Sequence, residues 1–412
     1  MSQQGPILFV SDAERLPLAV ALEDCKLFPL IDSNWAEAGE AIERLQPAAI
    51  IADMPVADET VVAEVAAKAA AMTPYLPMIG IDPAAALPAN VLSYSSERGF
   101  DRLLARLNAA LRIRTLHATI ERRLGDESAA GVRVPQSDLL DDATVLLIGR
   151  GASYPSLSVA LGERVAVIGA LSLEAAVKHL EARDIDGIVI GAGFSARVLD
   201  NFFTALSDDA RFRHLPVIVS GLAPDALDAH MLPNLEIVGG DATAVASNAL
   251  PLVRQHALDA RLTRTLKSIE SGGLLDPRSG LMTAAAFDRE FSAAITDSTS
   301  RGAGLSAARF MFDSTSERAR YDAARILSRL MRRFDFATME ADGTIVAAFA
   351  ETDLREAHVI ARRIASVVKH TMHAARREAP VDPHVSIATL LAKDTPDSLM
   401  ARLKGDHRRA AS

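Results

Sequence analysis

The chain has 412 residues, a length that suits about two to four domains rather than one. Hydrophobic residues make up 49% and charged residues 24%, which excludes a disordered chain, and a net charge of −9 without a long basic run excludes the electrostatic footprint of a nucleic-acid-binding protein. Its single cysteine, Cys25, excludes an internal disulfide, and no basic leader or apolar run of roughly 18 residues occurs, so we expect a cytoplasmic protein without membrane insertion.

Residues 1–124 alternate short apolar runs with amphipathic helical stretches. The runs have the length of buried strands, and the stretches between them carry apolar residues at helical spacing. Such alternation predicts a parallel, doubly wound sheet with helices on both faces. The predicted strands are PILFV (6–10), AAIIAD (48–53) and LPMIGI (76–81), and the predicted helices are 35–45 and 100–116.

Residues 125–142 interrupt this rhythm with Gly, Pro, Ser and acidic residues, and we interpret them as a linker. The same alternation returns over 143–265, where strands such as ATVLLIG, DGIVIG and LPVIVSG lead into a long helix at 244–270. Two tandem copies of one unit are the economical interpretation.

Residues 266–412 follow a different pattern. After a Gly-rich turn come a helix, a strand (ARFMF), a helix ending near Arg332, a hairpin whose turn is marked by Asp-Gly, another helix and a last strand (HVSIATLL). This mixture predicts an α+β domain with an antiparallel sheet.

The first unit resembles a response-regulator receiver domain, which has a flavodoxin-like fold. In that family an acidic pair after the first strand and an Asp after the third strand bind Mg²⁺ and accept a phosphoryl group. VSD keeps Asp12 and IIADMP keeps the acceptor, Asp53, whereas Asp82 replaces the expected Thr and no Lys occurs in residues 90–100. Two interpretations of Asp53 stay open: a phosphoacceptor that holds Mg²⁺ with Asp12, or part of a receiver fold kept as a scaffold.

The second unit resembles a receiver domain that has lost its phosphorylation site. LLIGR (146–150) replaces the acidic pair, and Gly191 stands where the acceptor would be. The resemblance therefore implies that this unit is not phosphorylated in the receiver manner.

The third unit resembles a GGDEF domain, the fold of diguanylate cyclases. LLDPRSGLMTAAAF (274–287) is similar to the family's D-x-L-T-G-L-x-N-R-R segment, and ETDLREAHVIARRI (351–364) and the stretch 385–403 are similar to two later family segments. Two receivers followed by a GGDEF domain are the layout of PleD-like response regulators, and this resemblance covers nearly the whole chain.

The residues that a cyclase of this family needs are missing. The five signature positions fall on ADGTI (341–345), a metal-binding Asp falls on Met311, and the base-reading Asn falls on Thr283. The stretch 313–332 is also shorter than in the family, which removes a loop with a second guanine-reading Asp. Metal ions and positioned phosphates provide the main charge stabilisation in phosphoryl transfer, so we expect no enzyme activity.

An Arg-x-x-Asp motif, Arg332 to Asp335, ends five residues before the signature positions. In the family a product-inhibition site has this motif at this interval, and alignment places its second arginine at Arg363. The resemblance implies a cyclic di-GMP site, since Arg can bond guanine O6 and N7 bidentately and a carboxylate can accept from N1–H and N2–H. The alternative is a solvated ion pair at a helix end, which contributes little.

The resemblance to PleD-like regulators includes the PopA type, which has a spent cyclase site. It implies a cyclic di-GMP effector that forms a homodimer and signals through protein partners, such as polar-localisation factors or protease adaptors, in cell-cycle control or regulated proteolysis at the cell pole. A ligand-free scaffold for dimerisation and docking is the alternative from another functional class.

Overall fold

The computed structural model describes residues 5–13, 17–54, 57–84, 86–125, 132–221, 232–312, 316–372 and 383–405. Within these ranges the chain forms two five-stranded sheets and one four-stranded sheet. None of the helices in these ranges combines the length and the apolar character that crossing a membrane requires.

The first sheet is parallel, with strand order β2-β1-β3-β4-β5, the flavodoxin-like order. Alternate residues of its first strand enter two separate cores, Ile7 and Phe9 on one face and Leu8 and Val10 on the other. The prediction of a sheet covered on both faces is confirmed. Its elements are β1 (Ile7–Val10), α1 (Pro17–Asp24), β2 (Leu30–Ser33), α2 (Trp35–Leu45), β3 (Ala49–Asp53), α3 (Glu59–Ala71), β4 (Met78–Ile81), β5 (Val91–Tyr94) and α4 (Phe100–Leu124).

The second sheet repeats this order, β10-β9-β8-β6-β7, and is also parallel. Its last helix is continuous from Ala242 to Glu270, so the predicted domain boundary at residue 265 lies inside a helix. Part of the predicted linker, 126–131, lies outside the described residues. The elements are β6 (Thr144–Ile148), α5 (Ser153–Gly162), β7 (Ala166–Ala170), α6 (Leu173–Ala182), β8 (Gly187–Ile190), α7 (Ala196–Asp208), β9 (Val217–Ser220), β10 (Leu235–Val238) and α8 (Ala242–Glu270).

The third sheet is antiparallel, as predicted, with order β12-β13-β11-β14. One face packs against α9 and α12 and the other against α10 and α11, because alternate residues of β13, such as Val346 and Ala347, enter different cores. The elements are α9 (Ala284–Arg301), β11 (Leu305–Phe312), α10 (Glu317–Leu330), β12 (Phe336–Met339), β13 (Ile345–Ala350), α11 (Leu354–Met372), β14 (Pro383–Thr389) and α12 (Pro396–Gly405).

The two parallel domains pack against each other through their last helices. Ile113 and Ile120 of α4 share a small core with Leu262 of α8. Arg98 forms an ion pair with Glu236 at 2.9 Å, and the buried Arg106 contacts the same carboxylate. Apolar contact and a shared carboxylate therefore fix this pairing.

The third domain docks on the second through the polar stripe of α10. Arg183 after α6 pairs with Asp322, and Arg329 pairs with Asp184 at 3.1 Å. At the start of the same helix, the Arg318 guanidinium donates to the carbonyl oxygens of Leu140 at 2.7 Å and of Ala143 at 2.8 Å. The polar face of α10 is therefore an interdomain contact.

Asp142 is the buried centre of this contact. Arg278 donates to both of its carboxylate oxygens, at 3.1 and 3.2 Å, and Arg261 lies 3.6 Å away. Burial raises the pKa of Asp142, but the Arg278 hydrogen bonds and the charges of Arg325, Arg278 and Arg261 outweigh burial and hold that pKa below its ordinary value. The carboxylate is thus kept ionised between the domains.

Candidate functional site

The Arg-x-x-Asp motif forms the turn that joins α10 to β12. The Arg332 amide donates to Asp335 Oδ2 at 3.1 Å, and the Asp335 amide donates to the Arg332 carbonyl oxygen at 3.1 Å. The two residues therefore fix the turn through the backbone of Arg332, while the Arg332 side chain belongs to an exposed residue. This differs from the side-chain ion pair that a helix-end Arg and Asp commonly form.

Asp335 is 9% exposed. Burial raises its pKa above the ordinary value, although hydrogen bonds from the Arg332 and Ala350 backbones and the charge of Arg332 oppose this. Because the folded-state pKa of Asp335 is raised, its contribution to the free energy of unfolding is fully present below the ordinary Asp pKa. That contribution is lost as pH increases through the folded-state pKa. The fold therefore holds a carboxylate here at some loss of stability, which is common for groups that bind a ligand.

A cavity of about 570 Å³ opens beside the turn. Arg332, Phe334 and Asp335 line it from one side, and residues of α9 from Glu290 to Arg301 line it from the other. The strand end at Ala350 and Glu351 completes the wall. The sequence predicted Arg332 and Asp335 at this site but missed α9 and Phe334, because nothing in the α9 sequence indicates that it faces the turn.

Arg363 lies on an exposed position of α11, next to the buried Ile364. α11 packs with α10 on the face of the sheet opposite α9. The structure thus brings Arg332 and Asp335 to one cavity, whereas the residues lining that cavity come from α9, the turn and the strand ends and do not include Arg363. The role of Arg363 stays a prediction.

Residues 341–345, the predicted signature positions, form the hairpin turn between β12 and β13. Asp342 accepts from the Thr344 amide at 2.9 Å and from its hydroxyl at 3.0 Å, and Gly343 has a φ of 87°, which glycine adopts readily. Any side chain at Gly343 would overlap Arg320. The turn is therefore stabilised by hydrogen bonds between its own residues.

Basic side chains occupy the surroundings of that turn. Arg309 on β11 lies 3.6 Å from Glu340 and 3.8 Å from Asp342, and its guanidinium also contacts the sulfur of Met311 at 3.1 Å. Lys404 reaches Glu340 at 3.4 Å. The acidic groups near these positions are thus paired within the protein, and Met311, where the sequence resemblance expects a carboxylate, is a thioether that contacts Arg309.

The segment that resembles the first family motif is a tight structural turn. The Asp276 carboxylate accepts from the Ser279 amide at 2.7 Å, and the Asp276 amide donates to the Leu281 carbonyl oxygen at 2.8 Å. Thr283 precedes α9 as its N-cap residue without a side-chain cap bond. These hydrogen bonds stabilise the turn at the start of the third domain, while residues 313–315, in the stretch expected to be shortened, lie outside the described residues.

The predicted receiver site lies at the carboxyl ends of β1 and β3. Asp53 is 6% exposed and accepts from the Ser11 hydroxyl at 2.9 Å, while Asp12 accepts from the Trp35 amide at 3.0 Å. Protein donors thus satisfy one oxygen of each carboxylate. Among the described residues, no group of three or more Asp, Glu, His or Cys side chains is placed to hold a metal ion. Phosphorylation of Asp53 and Mg²⁺ binding with Asp12 stay predictions.

In the second domain, the backbones that follow β6 and β8 contact each other at the corresponding end of the sheet. The Gly191 amide donates to the Ile148 carbonyl oxygen at 2.8 Å, and a Cβ on Gly149 would lie 3.4 Å from the Gly191 Cα. A Cβ at Gly191 would lie 3.3 Å from a methyl group of Leu157, so a side chain at this position would require Leu157 to shift.

Similar solved structures are GGDEF domains. The coiled coil and GGDEF domain of DgcB from Caulobacter crescentus, in complex with c-di-GMP, is 17% identical, covers 36% of this chain and 88% of its own, and has a TM-score of 0.32. The FimX GGDEF domain from Pseudomonas aeruginosa is 16% identical, covers 34% of this chain and 93% of its own, and has a TM-score of 0.30. Likenesses of this size do not define a family or a function.

A further similar structure is the diguanylate cyclase SiaD in complex with its activator SiaC, from Pseudomonas aeruginosa. It is 16% identical, covers 36% of this chain and 64% of its own, and has a TM-score of 0.32. No protein-family model matches the chain, and no curated protein does.

Proposed function

We propose that this protein is a cyclic di-GMP effector whose GGDEF-like domain has no cyclase activity and whose signal passes through protein contacts. The observation that carries the proposal is the turn at Arg332 and Asp335, where an exposed arginine and a buried carboxyl group line one cavity. A guanidinium matches guanine O6 and N7, and a carboxylate matches N1–H and N2–H.

The surroundings of the signature turn support the loss of catalysis. A cyclase must hold metal ions and a triphosphate beside carboxylates. Here Glu340 and Asp342 are paired with basic side chains, and Met311 stands at a metal-ligand position of the family. Positive side chains on the remaining acids oppose metal binding at this place.

The position of α10 supports signalling by contacts. The helix ends just before Arg332, and its polar stripe contacts the second domain through Asp322 and Arg329. A ligand at Arg332 therefore lies two residues beyond the last residue of a helix that holds two domains together. A homodimer, Mg²⁺ at Asp12 and Asp53, partners among polar-localisation factors or protease adaptors, and a position at the cell pole belong to the same proposal.

A ligand-free scaffold is the second candidate. The observation that favours it is the extent of buried polar docking between all three domains, which includes Glu236 and Asp142. A chain with such contacts could serve partner docking without any small molecule.

Calorimetric titration separates the two candidates. We expect cyclic di-GMP to bind and cyclic di-AMP to bind far more weakly, because adenine lacks the N1–H donor and the O6 acceptor that the site would recognise. Equal affinities for the two dinucleotides would contradict guanine recognition. If neither dinucleotide binds, the scaffold remains as the function.

We expect no diguanylate cyclase activity. Purified protein incubated with GTP and Mg²⁺ should form no more cyclic di-GMP than a blank without protein, measured by chromatography of the nucleotides. As a control, Met311→Asp restores a single carboxylate and should also remain inactive, since the signature positions are still missing. Product formed by the wild-type protein above the blank would refute this part of the proposal.

A further inference from the structure

Phe334 is the most exposed large hydrophobic residue in the described part of the chain, with 76% of its surface accessible. Single exposed apolar residues are common and need no explanation on their own. The position of Phe334 is informative, because it lines the same cavity as Arg332 and Asp335, the two residues with guanine-reading chemistry.

The turn fixes the backbone that carries Phe334 before any ligand arrives. Two hydrogen bonds of 3.1 Å each connect Arg332 and Asp335 across it: the Arg332 amide donates to the Asp335 carboxylate, and the Asp335 amide donates to the Arg332 carbonyl oxygen. An aromatic ring on a fixed backbone loses little freedom when a ligand binds, so its contacts contribute more fully to affinity.

The charges of the cavity select which part of a nucleotide enters. Its lining carries four carboxyl groups, from Glu290, Asp297, Asp335 and Glu351, against two guanidinium groups, from Arg301 and Arg332. An excess of acids repels a phosphate but accepts hydrogen bonds from the N–H groups of a base.

The rest of the lining suits the flat face of that base. The wall between the acids is apolar and consists of small and aliphatic residues with one aromatic side chain: Ala293, Ala294, Ala303, Leu305, Phe336 and Ala350. Pockets for small ligands commonly combine such apolar walls with a few polar groups that fix orientation.

We propose that Phe334 is a stacking platform for one guanine base of the ligand, an inference that rests on the proposed function. The base lies with one face on the Phe334 ring and its edge toward Arg332 and Asp335, and the phosphates remain outside the cavity. Stacking on an aromatic side chain accepts any base, so Phe334 supplies affinity while Arg332 and Asp335 supply the choice of guanine.

Substitutions at position 334 test stacking against simple apolar contact. Phe334→Ala and Phe334→Leu should each weaken cyclic di-GMP binding roughly 5- to 150-fold, the range expected for one lost base–aromatic contact. Phe334→Tyr should bind like the wild type because its ring is retained. All three variants should keep the wild-type thermal midpoint, since the residue is exposed.

A second measurement uses fluorescence. The chain has one tryptophan, Trp35, which is 4% exposed and lies in the first domain. In the variant Phe334→Trp the new indole should be quenched by cyclic di-GMP, while the wild-type emission should not change.

Each outcome decides the inference. Wild-type affinity in Phe334→Ala, or binding to Phe334→Trp without quenching, would overturn stacking but leave the proposed function intact. Equal weakening in all three substitutions would also overturn it, because the ring would then not matter. Absence of binding by the wild-type protein would overturn both the inference and the proposed function.

Discussion

We expect Arg332→Ala to weaken cyclic di-GMP binding roughly 5- to 150-fold, because loss of one bidentate arginine–guanine contact corresponds to about 1 to 3 kcal/mol. Arg332→Lys should lose nearly as much, since an ammonium cannot form two parallel bonds to O6 and N7. The fold should be unaffected, because the turn is held by the Arg332 backbone rather than its side chain. Calorimetry gives the affinities, and thermal unfolding checks the fold.

Arg333→Ala is the matched control. Arg333 is exposed, adjacent in sequence and absent from the cavity lining, so its loss should leave binding unchanged. Equal weakening in Arg332→Ala and Arg333→Ala would indicate general charge attraction rather than guanine recognition.

Arg363→Ala then shows how far the ligand extends. A loss of affinity would place part of the ligand over the α10–α11 layer, where Arg363 lies, as the family resemblance implies. Unchanged affinity would confine the ligand to the α9 side of the sheet.

Most strands of the parallel sheets could be predicted, because strands buried on both faces are short continuous apolar runs. Ile7 to Val10 is one of these. Strand β5 could not be predicted, since VLSY is short and polar residues flank it. It becomes a strand because β4 supplies a partner along its length, from Met78 opposite Val91 to Ile81 opposite Tyr94.

The hairpin at 336–350 was predictable because Asp-Gly marks a turn that needs a positive φ. The structure confirms the hairpin and gives Gly343 a φ of 87°. The sequence predicts a helix over 244–270, and α8 indeed runs from Ala242 to Glu270, so no break in helical structure marks a boundary at residue 265.

The candidate site was predictable only where its residues are close in sequence. Arg332 and Asp335 are three apart, and their interval from the signature positions indicated them. The opposite wall comes from α9, which only the folded sheet brings to the turn.

Interdomain contacts were also hidden in the sequence. Charged residues recur along α10, yet one of them, Arg325, is only 6% exposed. A helix can bury a charged stripe when another domain offers opposite charges, and this depends on a partner surface that the pattern of one helix does not contain.

We expect Asp142→Ala to lower the free energy of unfolding by about 3 to 5 kcal/mol, the usual effect of removing one partner from a buried ion pair. Arg278 would lose both hydrogen bonds to this carboxylate, and the 6%-exposed Arg261 would lose its nearest counter-charge. Urea unfolding, followed by circular dichroism, measures the change.

The effect should depend on pH in a defined direction. The folded-state pKa of Asp142 is lowered, since the arginines outweigh burial. The wild-type advantage is therefore fully present above the ordinary Asp pKa of about 3.9 and is lost as pH falls through the lower folded-state value. At neutral pH the gap between wild type and variant should be constant.

Asp141→Ala is the control, because Asp141 is the exposed neighbour of Asp142 and carries the same charge. It should unfold like the wild type. The double variant Asp142→Ala/Arg278→Ala should lose less stability than the two single variants added together, since the two side chains stabilise each other. Equal urea midpoints for Asp142→Ala and Asp141→Ala at neutral pH would show that Asp142 does not hold the second and third domains together. A signal from the turn at Arg332 would then have to leave the third domain by another surface.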